Sequence, residues 1–149
     1  MSEAEQAANK ATIRRLNDAI NSRDAELIAK TIDEVVAPDM RVGTPLPLGK
    51  TGAEAQKEVF ARLHRAFPDL HVAVEDMIAE GDRVACRNTV TGTHRGEFMG
   101  RPPTGRPITY NEMFVGRFAG GRIAESWGVV DLLGLMRQLD APPEESAAL

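Results

Sequence analysis

The hydrophobic period changes near Leu70, and that change constrains the chain more than any other feature. Before it, apolar residues recur at every third or fourth position. After it, Leu70, Val72, Val74 and Ile78 alternate with His71, Ala73, Glu75 and Met77. A helix repeats its faces about every 3.6 residues and a strand about every 2, so the two halves predict different elements. Helices come first and strands follow, and each has one apolar face to cover. They solve this by packing on one another, which predicts an α+β domain. With 149 residues, the chain is sized for one such core rather than two.

The elements can be placed from caps and breakers. Ala4, Ala8, Ala11, Leu16 and Ile20 predict a helix over residues 3–21, which Asn21, Ser22, Arg23 and Asp24 interrupt. Asp24 is placed to cap a second helix with Leu27, Ile28, Ile32, Val35 and Val36 on its apolar face, stopped by Pro38. A short extended piece over 40–44 leads into a Pro/Gly-rich turn. Thr51 and Glu54 then have the spacing of a capping box for a third helix, with Val59, Phe60, Leu63, Ala66 and Phe67 as its buried stripe. Gly81-Asp82 turns the first strand into a second over 84–94, a third follows over 108–118, and Gly120-Gly121 turns that one into a fourth over 123–130. All are expected to be long and antiparallel. Leu132, Leu133, Leu135, Met136 and Leu139 predict a closing helix that either plugs the sheet or packs on a second subunit. The domain is expected to span 1–139, and 140–149, with Pro142 and Pro143, to form a flexible tail.

Composition and motifs remove several function classes. A net charge of −4 without a Lys/Arg cluster disfavours nucleic acid. No apolar run approaches the roughly 20 residues of a membrane span. The acidic start, Met1 to Gln6, is followed by no apolar segment, so no secretory signal is expected and a cytoplasmic location is. Cys86 is the only cysteine and reads as a small buried apolar residue. His64, His71 and His94 have no metal-ligand spacing, and no phosphate-binding loop, dinucleotide fingerprint or nucleophile elbow is present. Neither metal nor cofactor is expected.

Proton transfer in a pocket is the chemistry left. Glu125, Trp127, Val129 and Asp131 share one face of the last strand, so Asp131 could stand in a partly apolar setting where burial raises a carboxyl pKa toward a general base. The same residue precedes the closing helix, where an Asp caps free N–H groups, and both readings stay open. His94 either contacts a substrate oxygen or anchors the loop after it. Parity cannot say whether Tyr110, Glu112 and Phe114 or Asn111, Met113 and Val115 face inward; the first set is taken as lining the pocket. Trp127 is a packing residue or a platform for a flat ligand, and Phe98 and Met99 form a candidate apolar lip.

One stretch is more specific than loop chemistry. Thr91-Gly92-Thr93-His94-Arg95-Gly96-Glu97-Phe98-Met99-Gly100-Arg101-Pro102-Pro103-Thr104-Gly105-Arg106, with Ala66-Phe67-Pro68-Asp69-Leu70 before it and Gly120-Gly121-Arg122-Ile123-Ala124-Glu125-Ser126-Trp127 after it, resembles the SnoaL-like polyketide cyclases of the NTF2-like superfamily. The resemblance runs from the first helix to about Leu139. It implies a cone in which N-terminal helices pack on a curved, mainly antiparallel sheet around a pocket. It also implies a cofactor-independent cyclase, or a related isomerase or lyase, acting on a polyketide-like or other carbonyl-rich hydrophobic or aromatic small molecule. In such a cyclase Asp131 is the general acid/base of an intramolecular aldol closure, and the protein is a homodimer or higher homo-oligomer. The alternatives are a non-catalytic small-molecule-binding or assembly module of the same fold, or another activity of the family such as hydroxylation, hydration, dehydration or epoxide opening.

Overall fold

A computed structural model describes residues 2–43 and 50–141. The expected turn over 44–49 and the tail from 142 onward lie outside the described residues.

The first helix, α1 (Glu3–Ser22), starts where the Ser2 hydroxyl accepts from Glu5 N and ends at Arg23 in the left-handed region. Asp24 begins α2 (Ala25–Val35) by accepting from Glu26 N and Leu27 N. Its buried face is Ile28, Thr31, Ile32 and Val35; Leu27 is exposed, and Val36 has already left the helix. The chain straightens before Pro38 because the ring crowds the preceding residue out of the helical region. Pro38 itself lies inside β1 (Val36–Gly43), an edge strand, where a missing N–H costs least.

In α3 (Gly52–Ala66) the expected capping box does not form, since the Thr51 side chain makes no cap hydrogen bond. Contact with β1 sets the entry instead. Gly52 has φ +63°, and a Cβ there would lie 1.8 Å from the Pro38 carbonyl oxygen, so the helix can start this close to β1 only with glycine.

The strands β2 (His71–Glu80), β3 (Arg83–Thr93), β4 (Pro107–Ala119) and β5 (Arg122–Val130) pair antiparallel in sequence order. The sheet order is β1-β5-β4-β3-β2, with β1 parallel to β5, so the sheet is mixed, and it is curved and unclosed. Asn21 fixes α1 against it: its amide donates to Val72 O at 2.9 Å and accepts from Val72 N at 2.8 Å. Ile13, Ile32, Phe67, Leu70, Val84 and Leu135 are central to the core beneath the helices. Full burial of side chains this size contributes about 1.5–3 kcal/mol each. The last helix, α4 (Leu132–Asp140), buries Leu135 and Leu139 in the same core, and its final residue Asp140 pairs with Arg101.

Candidate active site

The concave face of the sheet and the helices over it line a partly open cavity of about 160 Å³. Most of its wall is apolar: Ile13 and Leu16 from α1, Phe60 and Leu63 from α3, Leu132 and Leu135 from α4. On β4 the inward set is Tyr110, Glu112 and Phe114, with Gly116 continuing the row. Asn111 and Met113 are exposed on the other side.

Register makes the polar part of this wall. Asn88 on β3 stands directly opposite Glu112 on β4, and its Nδ2 donates to Glu112 Oε1 at 3.0 Å. Burial pushes the Glu112 carboxyl above the ordinary glutamate value, and the Asn88 hydrogen bond opposes that rise only in part. A carboxyl in this state keeps its proton to higher pH than an exposed one. Next to it, Tyr110 is 5% exposed, and burial, then the Glu112 charge, push its hydroxyl pKa upward. The phenol therefore stays protonated as a donor. Burial and the same Glu112 charge also raise the Cys86 thiol to about 11, so Cys86 stays an inert thiol in the core.

On β5 the inward residues are Ser126, Gly128 and Val130. Trp127 and Val129 consequently point outward, 44% and 76% exposed, and the Arg83 guanidinium lies 6.0 Å from the indole centroid. Glu125 shares that outer face and is paired with Arg117 and Arg41. Asp131 follows the same parity. It is exposed, does not line the cavity, and its Oδ1 accepts from Gly134 N at 3.0 Å as the N-cap of α4. Of the two positions open from sequence, the cap is the one Asp131 occupies; the partly apolar setting belongs to Glu112. Trp127 likewise forms no wall of the cavity.

His94 is fully buried outside the cavity, against Phe67 at 5.7 Å between ring centroids. Its Nδ1 accepts from Thr104 N at 3.2 Å, which makes the ring a neutral acceptor there, and burial holds its pKa below the usual histidine value. It thus sits as an anchor of the 94–106 loop. Arg95 N and Gly96 N both donate to Ala66 O, and Arg106 donates to Gln138 O and Leu139 O. The loop is thereby fastened to α3 at one end and α4 at the other. Phe98 is buried, 5.3 Å from the Phe67 ring, and closes part of the cavity, whereas Met99, 46% exposed, does not line it.

Asn88 was missed from sequence. The available signal was an amide at the inward parity of β3, in the series Val84, Cys86, Asn88, Val90, where an uncharged polar residue interrupts an apolar row. Among the described residues no three His, Cys, Asp or Glu side chains gather as a metal-holding group. No helix among them is long and apolar enough to cross a membrane.

A helix-backed curved sheet around a mostly apolar cavity with one acid in its wall defines an α+β domain of the NTF2-like kind. The family model for SnoaL-like polyketide cyclases matches residues 10–139, and the chain belongs to that family. Among solved structures it is similar to a protein from Jannaschia sp. CCS1 provisionally assigned as a SnoaL-like polyketide cyclase: 28% identity, 96% of this chain and 99% of that one, TM-score 0.86. IdmH from Streptomyces antibioticus, provisionally assigned as a polyketide cyclase, is 35% identical over 88% of this chain and 97% of its own, TM-score 0.72. AclR from Streptomyces galilaeus, provisionally assigned as a hydroxylase, is 31% identical over 93% and 99%, TM-score 0.76. No curated protein matches the sequence.

Proposed function

We propose that the protein is a cofactor-independent acid/base catalyst of ring closure on a carbonyl-rich small molecule, and that Glu112 carries the proton. The observation behind this is a carboxyl on the cavity wall, raised by burial and oriented by Asn88. Ionised Glu112 removes a proton from a carbon flanked by carbonyls. The resulting enolate carbon attacks a ketone of the same molecule, forming the C–C bond, and the alkoxide produced takes the proton back from Glu112. The neutral Tyr110 hydroxyl is a donor for the oxygen on which charge gathers. Water exclusion by the apolar wall, and a bound conformation that brings both carbons together, supply the rest of the rate. Family membership and the cyclase assignment of IdmH support a cyclisation over other proton transfers.

One observation favours a second reading, binding without turnover: Asp131, the acid/base expected from the resemblance, is engaged in capping α4. The test is deuterium uptake from solvent by a small cyclic 1,3-diketone, with wild type, Glu112→Gln and Asp131→Asn. Enhanced uptake that vanishes in Glu112→Gln and survives in Asp131→Asn is expected. Uptake lost only in Asp131→Asn would return the role to Asp131, and none in any protein would favour the binding module.

For assembly we propose a second copy over the outer sheet face. Ile78, Met113, Trp127 and Val129 are exposed there, among Arg83, Arg87 and Asp76, so one surface carries apolar area and both charge signs, which a self-complementary two-fold contact can pair. A dimer by light scattering that Val129→Glu splits is the expected result; a monomeric wild type contradicts it.

A further inference from the structure

We infer that the cavity is built for a compact ligand of one or two rings that presents a hydrogen-bond donor, a hydroxyl or enol, to Asn88 Oδ1. The inference rests on the cavity being the substrate site and adds what that substrate must look like.

Two observations on Asn88 carry it. Asn88 is 2% exposed and lines the cavity. Its Nδ2 is used on Glu112 Oε1, and among the described residues its Oδ1 is buried with no hydrogen-bond partner. An amide oxygen left so is costly unless something in the cavity donates to it. Its cross-strand neighbour Glu112 accepts from Nδ2, and no described side chain donates to Oδ1. A ligand hydroxyl supplies the donor, and its carbon skeleton then lies beside the Glu112 carboxyl, where an acidic C–H has to be. The enol form of a 1,3-dicarbonyl has both groups within one conjugated unit.

The size follows from volume. A cavity of about 160 Å³ is close to the engineered dry cavity of about 150 Å³ that holds one benzene. Four fused rings exceed this volume, and two of its walls, Phe98 and α4, are fastened: Phe98 against Phe67, and α4 through Arg101–Asp140 and the Arg106 contacts.

The experiment compares 4-ethylphenol with its isostere 4-ethyltoluene, which lacks the donor, by NMR titration of wild type and Asn88→Leu, with 1-hydroxypyrene as the oversized probe. The preference for the phenol over the toluene is expected to fall about tenfold in Asn88→Leu, the size of one good hydrogen bond to a buried group. In wild type the Asn88 side-chain carbonyl signal should move with the phenol and stay still with the toluene, and this second readout holds even if the variant misfolds. 1-Hydroxypyrene should leave the cavity signals unchanged. An equal phenol preference in both proteins, an Asn88 signal indifferent to the hydroxyl, binding of neither probe, or hydroxypyrene in the cavity each overturns the inference. None of these readouts needs turnover. A Glu112 that exchanges no deuterium while the donor preference persists removes the proposed reaction and leaves this ligand assignment intact.

Discussion

Gly96 is where the signature loop meets α3, and a single methyl there should cost the protein much of its local order. A Cβ built on Gly96 lies 2.0 Å from the Arg65 carbonyl oxygen and 2.9 Å from its carbon, both backbone atoms that cannot rotate away. Real Cβ contacts do not fall below 3.0 Å, so the loop and the helix end must part by about 1 Å in Gly96→Ala. The hydrogen bonds from Arg95 N and Gly96 N to Ala66 O, at 2.9 and 3.1 Å, do not survive that separation. Two backbone hydrogen bonds at about 1 kcal/mol each, with some loosening of packing, give a loss of roughly 2–3 kcal/mol. For a domain of this size that is a fall in Tm of roughly 5–10 °C. Urea unfolding and a thermal melt measure it, with Gly100→Ala as the control, since a Cβ at Gly100 meets nothing within 4 Å and only its φ of +82° is strained. If Gly96→Ala unfolds within about 0.5 kcal/mol of wild type, the ordinary scatter of surface substitutions, then the loop is not held as described.

Other expectations are smaller in scope. Asp131→Ala should lose about 1 kcal/mol in urea unfolding as a cap is removed, and Asp131→Asn much less, with deuterium uptake unchanged in both. Phe98→Ala should cost about 3 kcal/mol and admit 1-hydroxypyrene to the cavity, both measurable on one sample. Stability should depend on pH in two opposite ways. The Glu112 carboxyl is raised in the fold, so its contribution is full below its unfolded value near 4.5 and is lost as pH climbs through the raised folded value. Glu112→Gln should remove that decline from a plot of Tm against pH. His94 is lowered, so its contribution is full above about 6.5 and is lost as pH falls through the lower folded value; His94→Gln should flatten the acid side.

Much of the fold was legible because local signals and tertiary demands agree. The period change at Leu70, the Asp24 cap and the Gly-containing turns before β3 and β5 each fixed an element from a few adjacent residues. What failed locally was decided by distant contacts. Thr51 had the capping spacing, yet the close approach of Gly52 to Pro38 sets the start of α3. The parallel pairing of β1 with β5 joins residues more than eighty positions apart, such as Arg41 and Glu125, and leaves no periodic trace. The site divides in the same way. Tyr110, Glu112 and Phe114 share a face by parity alone, but which face looks inward depends on the helices that cover it. On β5, small residues, Ser126 and Gly128, look inward while the larger Trp127 looks out. Size and apolarity therefore misdirect a reading made one strand at a time. The pairing of Asn88 with Glu112 is a cross-strand register, invisible until β3 and β4 are aligned.

The proposal that a buried acid serves the cavity is tested most directly by following the Glu112 carboxyl carbon by NMR through a pH titration, with the cavity free and with 4-ethylphenol bound. Titration above the ordinary glutamate value of 4.5, with a further change when the ligand enters, is the expected result. A Glu112 signal that titrates at or below 4.5 and ignores the ligand would contradict it.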